Sequence, residues 1–177
     1  HMVTGYPVDT YLSTGLYEYT QMILDQNSIV NSKIYSTLLH DEEWAVILIG
    51  MYIERAIQII RIINAKLHDV YKIEQSGHPV TEMSFEWTTL LKCVEAFDMN
   101  RKFYKNIPDC KQVLEFLMLN PHCPRSISYS LNGIRRYEGK ISRNENLDSN
   151  AISFKIGKLY EQYRYLAFDD YKDDVYS

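Results

Sequence analysis

Between Trp44 and Val70 an apolar run carries one acid and two bases, Glu54, Arg55 and Arg61, with Gln58 between them. Read as a helix, Glu54, Gln58 and Arg61 fall at i, i+4 and i+7 and share one face, with Arg55 about 100° round from Glu54. Charges in an apolar helix are costly unless paired, because a buried unpaired ion loses several kcal/mol of hydration. Two arrangements meet that requirement. In the first, Arg55 or Arg61 grips an anion and Glu54 orients it, making a polar site. In the second, Glu54 forms a buried ion pair with Arg55, Arg61 or Arg125 and fixes helix register. Removing one partner of such a pair costs ~3–5 kcal/mol.

A second candidate is Arg125-Ser126, which follows Pro124 at the expected first turn of another helix. Free backbone N–H groups there, with a guanidinium and a hydroxyl, suit a carboxylate or phosphate. The alternative is structural: Arg125 pairs with Glu54 and Ser126 only satisfies the helix start. Asn120, just before the connector, is expected to bond the loop backbone, as asparagine commonly does.

Other chemistries lack their signatures. The five histidines make no HExxH or ExxH pattern and no paired spacing with cysteine, so no metal site is expected. Nucleophile motifs such as GxSxG and glycine-rich phosphate loops are missing, and no cofactor is expected. Cys93, Cys110 and Cys123 form no CxxC pair and are odd in number, which reads as unpaired thiols in a reducing compartment. A net charge of −4 does not suit a general nucleic-acid binder. Arg135, Arg136, Lys140 and Arg143 read as a solvated, dipole-favoured helix end. The fifteen tyrosines read as amphipathic packing at helix boundaries.

The elements that must position these residues are helical. Glycine and proline number only seven and five, too few for an all-β chain rich in tight turns. A first helix is expected over residues 9–38, capped by Asp9 or Thr10 and weakened at Gly15 and at Gln26-Asn27-Ser28. Asp41 should cap a second, central and mostly apolar helix over about 42–70, with Glu42 and Glu43 at its positive end. Its segment Ala45 to Ile53 is too short for a membrane span, which needs ~20 apolar residues. Further helices are expected over 84–105, 108–119, 124–141 and about 149–168. A loop over 74–80, a rigid connector over 120–124 and a polar loop over 142–149 separate them. The expected architecture is one all-α domain over residues 3–170, a bundle of five or six helices around a buried central one. His1-Met2 reads as a cloning remnant, and the acidic tail from Asp169, chiefly 171–177, falls outside the fold.

Three ordered segments carry a resemblance. Asp41-Glu42-Glu43-Trp44 followed by Ile49-Gly50-Met51-Tyr52-Ile53-Glu54-Arg55-Ala56 is similar to the defining motif of the alpha-E domain family, helical domains named for this Glu-Arg dipeptide. Trp87-Thr88-Thr89-Leu90-Leu91 is similar to that family's tryptophan-led helix. Phe116 to Asn120 leading into Pro124-Arg125-Ser126-Ile127 is similar to its Pro-Arg-Ser turn.

The resemblance implies an all-helical fold, a bacterial cytoplasmic setting, and the company of ATP-grasp and transglutaminase-like proteins in peptide or amide-bond modification. It also implies a Glu-Arg helix in each half of a longer protein, this chain being most similar to the C-terminal half. Two functions follow as expectations. One is a non-catalytic binding or scaffold module serving an ATP-grasp-type ligase; the other is an enzyme whose pocket is lined by Glu54, Arg55, Gln58, Arg61, Arg125 and Ser126. A single half is also expected to form a homodimer, seamed along Leu12, Leu16, Tyr19 and Ile23 of the first helix.

Overall fold

The computed structural model describes residues 8–75, 80–141 and 151–170, with side chains described over 15–73, 84–141 and 151–170. Seven α-helices are found among them: α1 (Val8–Ser36), α2 (Glu42–Gln75), α3 (Val80–Cys93), α4 (Phe97–Tyr104), α5 (Cys110–Leu119), α6 (Ile127–Ile141) and α7 (Ile152–Arg164). A 3-10 turn follows over Phe168–Asp170, and the described residues include no strand. The all-α class is as the sequence reads. The chain divides into two compact units, His1–Trp44 and Ala45–Ser177.

In the first unit, α1 bends where glycine allows it. Gly15 takes φ 85°, a left-handed conformation that a side chain would resist. The weakness read at Gln26-Asn27-Ser28 does not break the helix; α1 continues, with the Ser28 hydroxyl turned back onto the Leu24 carbonyl. Of the stripe offered as a dimer seam, Leu16 is exposed and Tyr19 and Ile23 are half-buried, while the side chain of Leu12 lies outside the described residues. The unit closes at its end: the Trp44 indole N–H donates to the Ile34 carbonyl at 2.9 Å, and its ring stacks on His40 at 4.0 Å. Asp41 caps α2 as expected, its carboxylate accepting the Trp44 N–H at 3.1 Å.

The second unit is organised around Trp87, Leu90 and Leu91 of α3, Val113, Leu114 and Leu117 of α5, and Ile127, Leu131 and Ile134 of α6. Ile59, Ile63 and Val70 bring α2 to that core. α2 runs to Gln75, into the loop expected over 74–80, whose Gly77 and Pro79 lie outside the described residues. It is not enclosed on every side. Val46, Ile47, Ile53, Ile57 and Ile60 are exposed, so α2 buries one face and presents the other.

The helix expected over 84–105 is two helices. α3 ends in a Schellman turn: Glu95 is left-handed (φ 56°), its N–H donates to the Lys92 carbonyl, and the Ala96 N–H reaches the Leu91 carbonyl. Leu91 and Ala96 are both buried, and their contact position closes the motif. A glycine usually fills that left-handed site, and its absence hid the break.

Two helix starts also move. Asp109, not Pro108, begins the next helix, accepting the Gln112 N–H at 2.9 Å and leaving Pro108 just outside α5. α6 starts at Ile127, three residues after Pro124. The expected final helix is α7, shorter at 152–164; its proposed caps Asp148 and Ser149, the loop over 142–149 and the tail 171–177 lie outside the described residues. α6 packs on α7 through Arg135, which meets Glu161 at 2.8 Å and covers the Tyr160 ring at 4.5 Å. Arg135 is therefore a packing contact as well as a helix-end charge.

Candidate functional site

Glu54 is exposed on the outer face of α2, where it accepts a 2.6 Å hydrogen bond from the Gln58 amide. Arg61, one turn further on, is also exposed and has no bonding partner among the described residues. Ile63, which faces the core, lies nine residues from Glu54 and so about 180° away around the helix. That angle removes the reason for a buried ion pair. Among the described residues Glu54 makes none, and the expectation of one is corrected: in water the carboxylate keeps its hydration and needs no cation.

Arg55 is turned the other way. Its guanidinium lies over the Tyr52 ring, 5.4 Å from the centroid, and Tyr52 is stacked on Tyr137 of α6 at 6.0 Å and tilted against Tyr129 at 6.2 Å. The ring of Tyr52 fits there because α6 has a glycine opposite. A Cβ on Gly133 would come within 2.6 Å of it. Gly133→Leu should therefore displace Tyr52, separate the Arg55 stack from α6 and destabilise the fold by ~1–3 kcal/mol, despite leucine's better helix propensity. A urea melt that is unchanged or improved by Gly133→Leu would show that the notch has no such role.

The ion pair that does tie α2 to the bundle was not foreseen. Lys66 pairs with Glu86 of α3, both side chains being largely buried, at 14% and 21% exposure. Nothing in local spacing announces it, because the partners are twenty residues apart and on different helices.

Arg125 and Ser126 hold the turn between α5 and α6. Arg125 pairs with Glu95, at the left-handed end of α3, and not with Glu54. Ser126 is fully buried; its hydroxyl donates to the Asn120 carbonyl and accepts the Tyr129 N–H at 3.0 Å, so it is the N-cap of α6. Asn120 bonds the loop backbone as expected, accepting the N–H groups of His122 at 2.8 Å and Cys123 at 3.2 Å. Four of the six candidates thus belong to α2 and two to this turn, where both are already bonded within the fold.

A cleft of about 510 Å³ lies at the C-terminal ends of α4 and α5, lined in part by Lys102, Phe103, Phe116, His122 and Cys123. None of the six candidates lines it. Burial pushes the Cys123 thiol up, with the backbone N–H and charge of Arg125 pulling the other way. At pH 7.5 a maleimide should label exposed Cys93 at least ~100-fold faster than buried Cys123, and equal rates would contradict this placement.

Burial also raises the phenols of Tyr104 and Tyr163, with Glu115 and Asp109 adding to the effect at Tyr104. These three groups ionise first in the unfolded chain. The stability they contribute is therefore complete below about pH 8 and declines as pH rises, through the thiol first and the phenols from about pH 9 upward. Urea midpoints measured from pH 8 to 10.5 should fall; a flat or rising profile would contradict the buried settings.

Among the described residues no three His, Cys, Asp or Glu side chains are grouped to hold a metal ion. No described helix is long and apolar enough to cross a membrane.

Fold and site together define an all-helical domain marked by one Glu-Arg dipeptide, Glu54-Arg55, on a half-exposed helix. The chain belongs to the Alpha-E family, described as a predicted alpha-helical domain with a conserved ER motif, whose model matches residues 5–175. The match reaches well beyond the three segments, from Asp41 to Ile127, that carry the resemblance in the sequence. No curated protein and no solved structure is significantly similar to the chain.

Proposed function

We propose that this Alpha-E domain is a non-catalytic binding or scaffold module, working in the bacterial cytoplasm with an ATP-grasp-type amide or peptide ligase. A transglutaminase-like protein is the second candidate partner of the same peptide-modification system. The observation that carries the non-catalytic reading is the setting of the candidate residues. Glu54, Gln58 and Arg61 stand on an open helix face beside exposed isoleucines, while Arg125 and Ser126 serve the α5–α6 turn. Catalysis wants convergent groups in a water-excluding cleft, whereas open apolar surface rimmed by charge suits contact with a protein. The partner class rests on the family resemblance.

Co-purification of the tagged chain with an ATP-grasp ligase encoded beside it tests this reading. A stoichiometric complex surviving gel filtration, with Kd of about 10 μM or tighter, is the expected result. No complex at ~100 μM of each protein would remove the ligase from the account.

A further inference from the structure

The outer face of α2 has a pattern of its own. Val46, Gly50, Ile53, Ile57, Ile60 and Asn64 follow one another at alternating spacings of four and three, which is a heptad seam and not the broader stripe of a helix lying on a core. All six are exposed, the four apolar ones to 56%, 43%, 37% and 39% in chain order. The core-facing residues Ile59, Ile63 and Val70 centre about 120° further round the helix, so the exposed seam borders the face that packs in the bundle.

Charge settles what fits it. Glu54 and Arg61 flank the seam on one edge, seven residues and opposite signs apart. Reversed end to end about a two-fold axis near Gln58, the same helix places Arg61 opposite Glu54 and Glu54 opposite Arg61. Ile57 then meets Ile60 of the second helix. A parallel pairing would instead put the two Glu54–Arg61 edges on opposite sides of the interface, where these charges do not meet. We propose that α2 is the interface of an antiparallel homodimer, in which two copies pack their Val46–Asn64 seams and exchange two Glu54–Arg61 ion pairs.

The contact is isologous and closes on itself, the commonest symmetry among oligomers. It gives Glu54 and Arg61 the opposite charges that the described residues of a single chain do not supply, and it moves the dimer seam from α1 to α2. The inference rests on reading α2's outer face as a contact surface, but it does not require the ligase.

Sedimentation equilibrium of the full chain tests it, with a dimer of twice 20.9 kDa expected at tens of micromolar. Glu54→Arg and Arg61→Glu each turn two attractions into repulsions and should weaken the dimer by about tenfold or more. Joining both changes in one chain should restore it. An equimolar mixture of the two single variants should associate better than either alone. In that mixed dimer the introduced arginine faces the introduced glutamate, and the unchanged Arg61 of one copy faces the unchanged Glu54 of the other. That result separates this register from any other apolar contact, and circular dichroism of the exposed-site variants verifies that they fold. A monomer at ~100 μM, or a dimer indifferent to charge reversal, overturns the proposal. A monomer that still binds the ligase removes the dimer and leaves the scaffold; a charge-sensitive dimer that binds no ligase does the reverse.

Discussion

Trp87→Ala is expected to lower the stability of the second unit by ~3–5 kcal/mol, the usual cost of emptying a buried tryptophan site. The indole is 2% exposed and belongs to the cluster formed by Leu90, Leu91, Val113 and Leu117. Alanine improves helix propensity in α3 by under ~1 kcal/mol, which does not offset the lost contacts and the cavity. At this chain length the loss corresponds to a fall in Tm of about 6–20 °C. The urea midpoint should drop with little change in the slope of the transition, since the unfolded chain exposes nearly the same surface. A loss below ~1 kcal/mol would mean that α3 does not sit at the centre of this core.

Asn100→Leu is expected to act in the opposite direction. Asn100 is 1% exposed on the inner side of α4, and neither atom of its amide has a hydrogen-bond partner among the described residues. A buried polar group without a partner costs about 1–3 kcal/mol of desolvation. Leucine has the same branched outline and heavy-atom number and is the better helix former. The substitution should stabilise the protein by ~1–2 kcal/mol, raising Tm by about 2–8 °C. Destabilisation by a similar amount would show that the amide makes an essential bond, and Asn100→Asp would then be expected to retain part of it.

Local chemistry wrote several features plainly into the sequence. Asp41, Asn120 and Ser126 have short polar side chains beside free backbone groups, and each bonds backbone near its own position. Gly15 bends α1 because only glycine makes a positive φ inexpensive. Where the backbone took an unusual conformation without the usual residue, as at Glu95, the signal was missing and two helices read as one. The outward face of α2 was the larger miss. Between Trp44 and Ile63 apolar residues fill nearly every position, so periodicity could not say which isoleucines faced the core. That choice is made by distant partners: the Gly133 notch that receives Tyr52, and the Lys66–Glu86 pair. Once the face is known, Glu54 and Arg61 follow onto the surface. The buried-pair expectation failed for that reason, and Arg125 was free to bond Glu95.

The family's Glu-Arg motif here places its glutamate on the surface and not in a buried structural pair. The thermal midpoint of Glu54→Ala, taken at the same protein concentration as the parent, tests it most directly. At a dilution that keeps the chain monomeric, an exposed carboxylate bonded among the described residues to Gln58 should leave Tm within about 2 °C of the parent, the range of ordinary surface substitutions. A fall of ~10 °C or more, as when a buried arginine loses its only counter-charge, would contradict the account.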